Sequence, residues 1–363
     1  MKKKYIKPLV LLLALTLAAA LFAGCAKTEE PAPEAEPAPA AQPDPVPETK
    51  PETTPAPVPE VKPEPAPEPV PEPEVEPAEE DEENYDTGDA SLDDPLNQDG
   101  IGEDELLVAS FGTSFNDNRR LTIGAIEKAM IAAFPDWSVR RGFTSQIIID
   151  HVKSRDGEVI DNMTEALDRA VDNGVKRLVV QPTHLMDGLE YNDVVNEVAQ
   201  YGDAFTAIAV GKPILISDED FSAVADAMAD CTKEYDDGKT AICWMGHGTE
   251  ASSNSVYSKM QEVLTEKGYQ NYYVGTVEAS PTLEDVLALV KAGNYERVVL
   301  RPMMIVAGDH ANNDMAGDEE DTWKTLFEAE GYEVITELKG LGELPAIQEL
   351  LVAHAKAAME ELQ

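Results

Sequence analysis

The sequence predicts an α/β fold of two similar halves, each a doubly wound parallel sheet, facing a central cleft and preceded by a disordered tether. Three observations carry this. Apolar, β-branched runs recur without polar alternation, as in strands buried on both faces. Helix-period stretches separate them, and a similar order of motifs appears twice.

Taken from the start, Met1-Lys2-Lys3-Lys4 is cationic, Pro8 to Phe22 is apolar, and Ala23-Gly24 are small residues before Cys25. This is the layout of a secretory signal whose cysteine becomes the lipid-modified first residue of the mature chain. The apolar run is short for a membrane span. Residues 1–25 are therefore expected to be a lipoprotein signal peptide, with lipid attachment at Cys25 anchoring the chain to the membrane on its extracytoplasmic side, periplasmic or cell-surface. Residues 26–102 are rich in Pro, Glu and Ala and almost free of aromatic residues, so they cannot bury enough surface to offset the entropy of ordering. Near-alternate prolines and repelling glutamates make this a stiff acidic linker.

The net charge is −42, and roughly half of it falls between Lys27 and Glu105. The remainder is still acidic, which argues against nucleic acid as a partner and favours the approach of cations. Of the three cysteines, Cys25 goes to the lipid. Cys231 and Cys243 are left either as a disulfide or as two buried thiols, and neither has metal-ligand spacing.

The folded part divides into an N-terminal half, 103–235, and a C-terminal half, 236–363. In the first, Leu106 to Phe111 reads as a strand, Arg119 to Phe134 as a helix, Arg177 to Val180 as a strand and Tyr191 to Tyr201 as a helix. In the second, Thr240 to Met245, Tyr272 to Thr276 and Arg297 to Leu300 read as strands, and Pro345 to Leu362 as an amphipathic closing helix. The halves echo each other. Val108 leads to Gly112-Thr113 and Val179 to Pro182 and Gly188; Ile242 leads to Gly248-Thr249 and Val298 to Pro302 and Gly308. Open α/β sheets of this kind bind ligands beyond the carboxyl ends of their strands.

Three residues just past apolar runs form a candidate metal site: His247 in Gly246-His247-Gly248, Glu278 in Val277-Glu278-Ala279, and His310 in Gly308-Asp309-His310. The chain has only five histidines, and two of them with a carboxylate make an N/O set suited to cobalt, iron, nickel or zinc. The flanking glycines leave the His247 imidazole little shielded, so that a flat ligand can approach. Asp309 or Asp314 would orient His310, although helix capping accounts for either carboxylate equally well. There is no Gly-x-Gly-x-x-Gly, Walker lysine motif, His-Glu-x-x-His or Gly-x-Ser-x-Gly, which removes support for nucleotide chemistry and the commonest hydrolase mechanisms.

The segments Ser110-Phe111-Gly112-Thr113-Ser114, Phe143-Thr144-Ser145, Met245-Gly246-His247-Gly248, Val277-Glu278-Ala279 and Ala307 to Met315 resemble the anaerobic cobalt chelatases of the CbiK type, sirohydrochlorin cobaltochelatases. Trp323-Lys324 and Leu338 to Glu343 fit as well, so the resemblance runs from about Glu105 to the C-terminus. It implies a class II chelatase of chelatase-like fold that uses no nucleotide and inserts Co²⁺, with Fe²⁺, Ni²⁺ or Zn²⁺ as alternatives, into a tetrapyrrole held between the halves, as in anaerobic cobalamin biosynthesis. By motif, His247, Glu278 and His310 hold the metal and His247 accepts a proton. Ser110, Thr113, His184, Glu190, Asp309 and Asp314 are weaker candidates for substrate contact or support. At Leu189 the chain departs from the family, which more often has a polar residue there. The expected partners are a sirohydrochlorin-like substrate and, through Cys25, a membrane; a homo-oligomer is left open. An envelope lipoprotein that binds haem, another tetrapyrrole or metal for uptake without turnover is the alternative. Cys25→Ala should move the expressed chain from the detergent phase to the aqueous phase in a detergent-partition assay, whereas unchanged partitioning would contradict lipid attachment at that residue.

Overall fold

The structure is a computed structural model that describes residues 87–362. The signal-peptide and lipidation readings at 1–25, and the tether reading up to residue 86, lie outside the described residues. Among the described residues are eight strands: β1 (Asp104–Ser110), β2 (Ser138–Phe143), β3 (Arg177–Pro182), β4 (Ala207–Val210), β5 (Thr240–Gly246), β6 (Tyr272–Thr276), β7 (Arg297–Pro302) and β8 (Glu333–Thr336). They form two four-stranded parallel sheets, ordered β2-β1-β3-β4 and β6-β5-β7-β8. The second order is the first with four added to each number, so the sequence echo is a topological repeat.

The helices are α1 (Asn116–Leu121), α2 (Ile123–Ala133), α3 (Gln146–Asp156), α4 (Met163–Asp172), α5 (Leu189–Ala199), α6 (Asp218–Thr232), α7 (Ser255–Glu266), α8 (Leu283–Ala292), α9 (Trp323–Ala329) and α10 (Pro345–Glu361). None is long and apolar enough to cross a membrane. Strand residues alternate between two cores. Leu107 and Ala109 of β1 pack with the apolar side chains of α4 and α5, and Cys243 and Met245 of β5 with those of α8 and α9. Leu106 and Val108 join Ile242 and Trp244 in one core that also takes in α6, α7 and α10 and so runs through both halves. Each Leu, Ile or Val hidden this way contributes about 1.5–3 kcal/mol.

Contacts cross both of the expected boundaries. The tether was expected to reach residue 102, yet residues 87–102 belong to the folded unit. Asp93 sits 2.7 Å from both Arg119 and Arg141, whose side chains are fully buried, and Arg141 donates its backbone N–H to Leu96. Burial pushes the Asp93 carboxyl up, but the hydrogen bonds and charges of Arg141 and Arg119 outweigh it and hold it below its usual range. An acidic segment that looks solvated is thus held by the two cations it neutralises. The division at 235/236 falls between the two sheets, and packing crosses it. Helix α10 closes over α2, β3 and β4 of the first half, while α6 packs on α7 and its Thr232 Oγ1 meets Tyr272 Oη at 2.9 Å.

Strand β2 has no apolar signature because Arg140 and Arg141 occupy its centre. Both are buried in ion pairs, Arg140 with Glu105 at 2.7 Å and Arg141 with Glu127 at 2.7 Å. Burial pushes the Glu105 carboxyl up to about 7, more than the Arg140 charge and hydrogen bond hold it down. From the ordinary value near 4.5 up to about 7 the folded chain keeps this proton while the unfolded chain loses it, so this group lowers stability as pH rises through that window. Glu105→Gln removes the titration. In urea denaturation at pH 5 and pH 8, the variant should lose less stability than the parent on going to the higher pH; equal losses would contradict the assignment.

Candidate metal centre

The carboxyl ends of β5, β6 and β7 bring the three predicted ligands together. His247 follows β5, Glu278 lies two residues beyond β6, and His310 ends the loop after β7. One donor atom from each lies within 4.8 Å of the others. His247 Nε2 is 3.7 Å from Glu278 Oε1, and the two imidazoles meet edge to face, their centroids 4.6 Å apart. The side chains of His247 and Glu278 are about half exposed, at 46% and 53%.

Both imidazoles have one nitrogen committed. His247 Nδ1–H donates to the Gly248 carbonyl at 2.9 Å, and His310 Nδ1–H donates to Asp314 Oδ2 at 2.7 Å. Each therefore keeps Nε2 as a free lone-pair donor, the tautomer a metal ligand requires. Asp314 reaches His310 because residues Ala311–Met315 form a single π-helical turn directly after it. Asp309 instead accepts from Asn313 Nδ2 at 2.7 Å, which leaves it bracing the turn.

The glycines around His247 play another part than the one expected. A Cβ at Gly246 would lie 2.1 Å from the Tyr257 ring, and one at Gly248 would lie 2.8 Å from the Ala279 backbone nitrogen. Gly248 also has a φ of +91°, which other residues rarely adopt. These positions are bare because the protein itself presses on them. Tyr257 Oη accepts from Gly248 N–H at 3.3 Å, and Glu278 N–H donates to the His247 carbonyl at 2.9 Å, tying two ligand loops together.

The weaker candidates are spread more widely. Ser110 is buried at the end of β1 and accepts from Thr183 Oγ1 at 2.9 Å, a clamp inside the first half. Thr113 accepts from Phe115 N–H at 3.3 Å and abuts Gly308 of the second half. His184 is buried and neither ring nitrogen has a hydrogen-bond partner; burial pushes its imidazole down to about 4. It lies 3.8 Å from Glu190, whose carboxyl is pushed up by burial and held down by the charge of His247. Glu190 is thus within electrostatic reach of His247, while Ser110, Thr113 and His184 are buried. Two residues that the sequence reading passed over also matter. Tyr257 shapes the His247 loop, and Asn118 of α1 accepts from Ala307 N–H at 2.8 Å, joining the His310 loop to the first half. A pairing 189 residues apart in sequence leaves no local pattern.

The His/Glu/His set with free Nε2 atoms at the carboxyl ends of the second sheet is a candidate site for a divalent metal. The chain belongs to the cobalt chelatase (CbiK) family, whose sequence model matches residues 104–360. It is 35% identical over 254 residues to the sirohydrochlorin cobaltochelatase of Salmonella typhimurium, covering 70% of this chain and 96% of that one. It is 30% identical over 270 residues to sirohydrochlorin cobaltochelatase CbiKC of Nitratidesulfovibrio vulgaris, covering 74% and 93%. SirB from Bacillus subtilis, solved with Fe³⁺, shares the fold at a TM-score of 0.52 and 15% identity, covering 72% of this chain and 98% of that one. Asp314→Ala frees the His310 ring and its tautomer; Co²⁺ affinity measured by calorimetry should fall about 10- to 100-fold, and an unchanged affinity would remove Asp314 from the site.

Proposed function

We propose that the protein inserts Co²⁺ into sirohydrochlorin or a closely related tetrapyrrole, without a nucleotide, and that it does so as a lipid-anchored protein on the extracytoplasmic side of the membrane. The observation that carries the reaction is the convergence of His247, Glu278 and His310 with both Nε2 atoms free. Family membership and the names of the two relatives support the substrate. Support for the location is the sequence of residues 1–25.

In this reading the metal is a substrate. His247 and His310 bind it as neutral imidazoles, and Glu278 offsets one of its two charges, so the site holds the ion without matching the dianion that the macrocycle becomes. Insertion must remove two pyrrole N–H protons. His247, half exposed, is assigned to accept one of them as the ion moves to the ring, and the other leaves to solvent water. Glu190 of the first half places a further carboxylate within electrostatic reach of His247. Fe²⁺ and Ni²⁺ suit the same donors, so the metal actually used is decided by supply and by the macrocycle.

The test is anaerobic incubation of the detergent-solubilised full chain with sirohydrochlorin and Co²⁺, Fe²⁺ or Ni²⁺ in turn, followed by absorbance. Co²⁺ should give the metallated spectrum fastest, and His247→Ala should lower the rate at least about 100-fold. Near-normal turnover in that variant would overturn the role of His247. Tight stoichiometric binding with no metallation would replace the enzyme with a carrier of tetrapyrrole or metal.

A further inference from the structure

Residues 87–102 lie ahead of residue 104, where the match to the chelatase family begins, yet they are bonded into the first half. The Leu96 carbonyl accepts the Arg141 N–H at 3.1 Å, and Gln98 Nε2 donates to the Val139 carbonyl at 3.1 Å, so the segment covers the outer edge of β2. Asn97 Nδ2 donates to the Val159 carbonyl and the Gly100 N–H to Asn173 Oδ1, both at 2.8 Å. Leu96 sits at a φ of +47°, a left-handed conformation rare in a residue with a side chain. Such strain persists where the surrounding contacts fix it.

The same segment holds α1. The Thr87 carbonyl accepts the Asp117 N–H at 2.8 Å, and the Gly88 carbonyl accepts from Asn116 Nδ2 at 3.4 Å. Both bonds fall on the first turn of a helix whose N-cap is Phe115, a side chain with no polar group to cap with, so the segment supplies an acceptor that the helix start lacks. Asp93 is 2.7 Å from Arg119 Nε, and Arg119 Nη1 in turn donates to the Thr113 carbonyl at 3.1 Å. Helix α1 then reaches the other half. Ala307, three residues before His310, is buried, and its N–H donates to Asn118 Oδ1 at 2.8 Å; beside it, Gly308 abuts Thr113. Met304 and Ile305, earlier in that loop, are fixed within the second half, where their carbonyls accept the Leu341 and Gly342 N–H groups at 2.8 and 3.0 Å. The loop that carries His310 is thus held at its start by its own half and at Ala307-Gly308 by the first.

We propose that residues 87–102 are a strap that sets the place of His310 by fixing α1, with Asp93 and Asn118 as positioning residues. This rests on the reading of His247, Glu278 and His310 as the Co²⁺ ligands and adds what determines their spacing. Donor atoms that lie within 4.8 Å of one another lose affinity when one ligand loop drifts, because hydrogen bonds behind the ligands set their geometry. The buried Ala307 N–H needs an acceptor, which makes Asn118 the point at which α1 and the loop move together. When Asp93 is neutralised, Arg119 keeps Glu158 at 2.8 Å and Arg141 keeps Glu127 at 2.7 Å, so Asp93→Asn loosens α1 and leaves each cation a partner.

The test uses the detergent-solubilised full chain with Co²⁺ alone as the probe. By calorimetry, Asn118→Ala should weaken Co²⁺ binding about fivefold, and Asn118→Asp, which keeps an acceptor for the Ala307 N–H, should restore it. Asp93→Asn should weaken it about threefold, and the double variant with Asn118→Ala should bind no more weakly than Asn118→Ala, because both act through one bond. Hydrogen exchange in Asp93→Asn should quicken at Ala307 and hold at Val299 and Leu300 of β7, which a general loss of stability would move together. Gly88→Val, disfavoured at a φ of +87°, withdraws the strap from Asn116 and Asp117 without altering a buried charge. It should act as Asp93→Asn does, so the measurement stands if Asp93→Asn proves unstable. Unchanged Co²⁺ affinity in Asn118→Ala or in both strap variants, or losses that add in the double variant, would overturn the strap and leave the metal site standing. A parent chain that binds no Co²⁺ would overturn both.

Discussion

Every strand in each sheet runs the same way, and the rest of the structure depends on that constraint. Parallel pairing sends all four carboxyl ends of a sheet to one edge, so the loops after β5, β6 and β7 are neighbours in space however distant they are in sequence. Glu278 is 31 residues beyond His247 and 32 before His310, yet their donors lie within 4.8 Å. Parallel sheets must also be covered on both faces, and this is met by three packed cores of which the central one runs through both halves. The rigidity of the metal loops is inherited from that packing. Tyr257, which presses on Gly246 and receives the Gly248 N–H, is itself a member of the central core.

What could be read from the chain follows the same physics. Strands β1, β3, β5, β6 and β7 are legible because burial on both faces removes polar alternation, and the amphipathic α10 is legible from its period. Strand β2 is not, since Arg140 and Arg141 sit where apolar residues are expected, each made tolerable by a carboxylate that arrives from another element. The edge strands β4 and β8 are four residues each and only partly buried, too short for a pattern. Residues 87–102 share the acidic composition of the tether, and only the positions of Arg119 and Arg141 reveal that Asp93 belongs inside.

The candidate site was legible to the extent that residue chemistry and strand ends reveal it. His247, Glu278 and His310 stand out by type and by the apolar runs before them. The choice of Asp314 over Asp309 as the partner of His310 was not legible, because it turns on a π-helical turn that places residue 314, four positions on, beside the imidazole. The packing function of Gly246 and Gly248 was hidden likewise, for a sequence shows that a side chain is missing but not what fills the space. Duplication adds a further lesson. Two loop sets that share backbone hydrogen bonds carry different side chains, so fold and site specialise separately.

The crossing of α10 into the first half sets an order of events during synthesis. Helix α10 is the last element of the chain, 17 residues from Pro345 to Glu361, and its Ile347, Leu351 and Ala355 complete the core over β3 and α2. A ribosome releases the N-terminal half long before that helix exists. The first sheet therefore completes its packing only when α10 docks, and the two halves mature together instead of in succession.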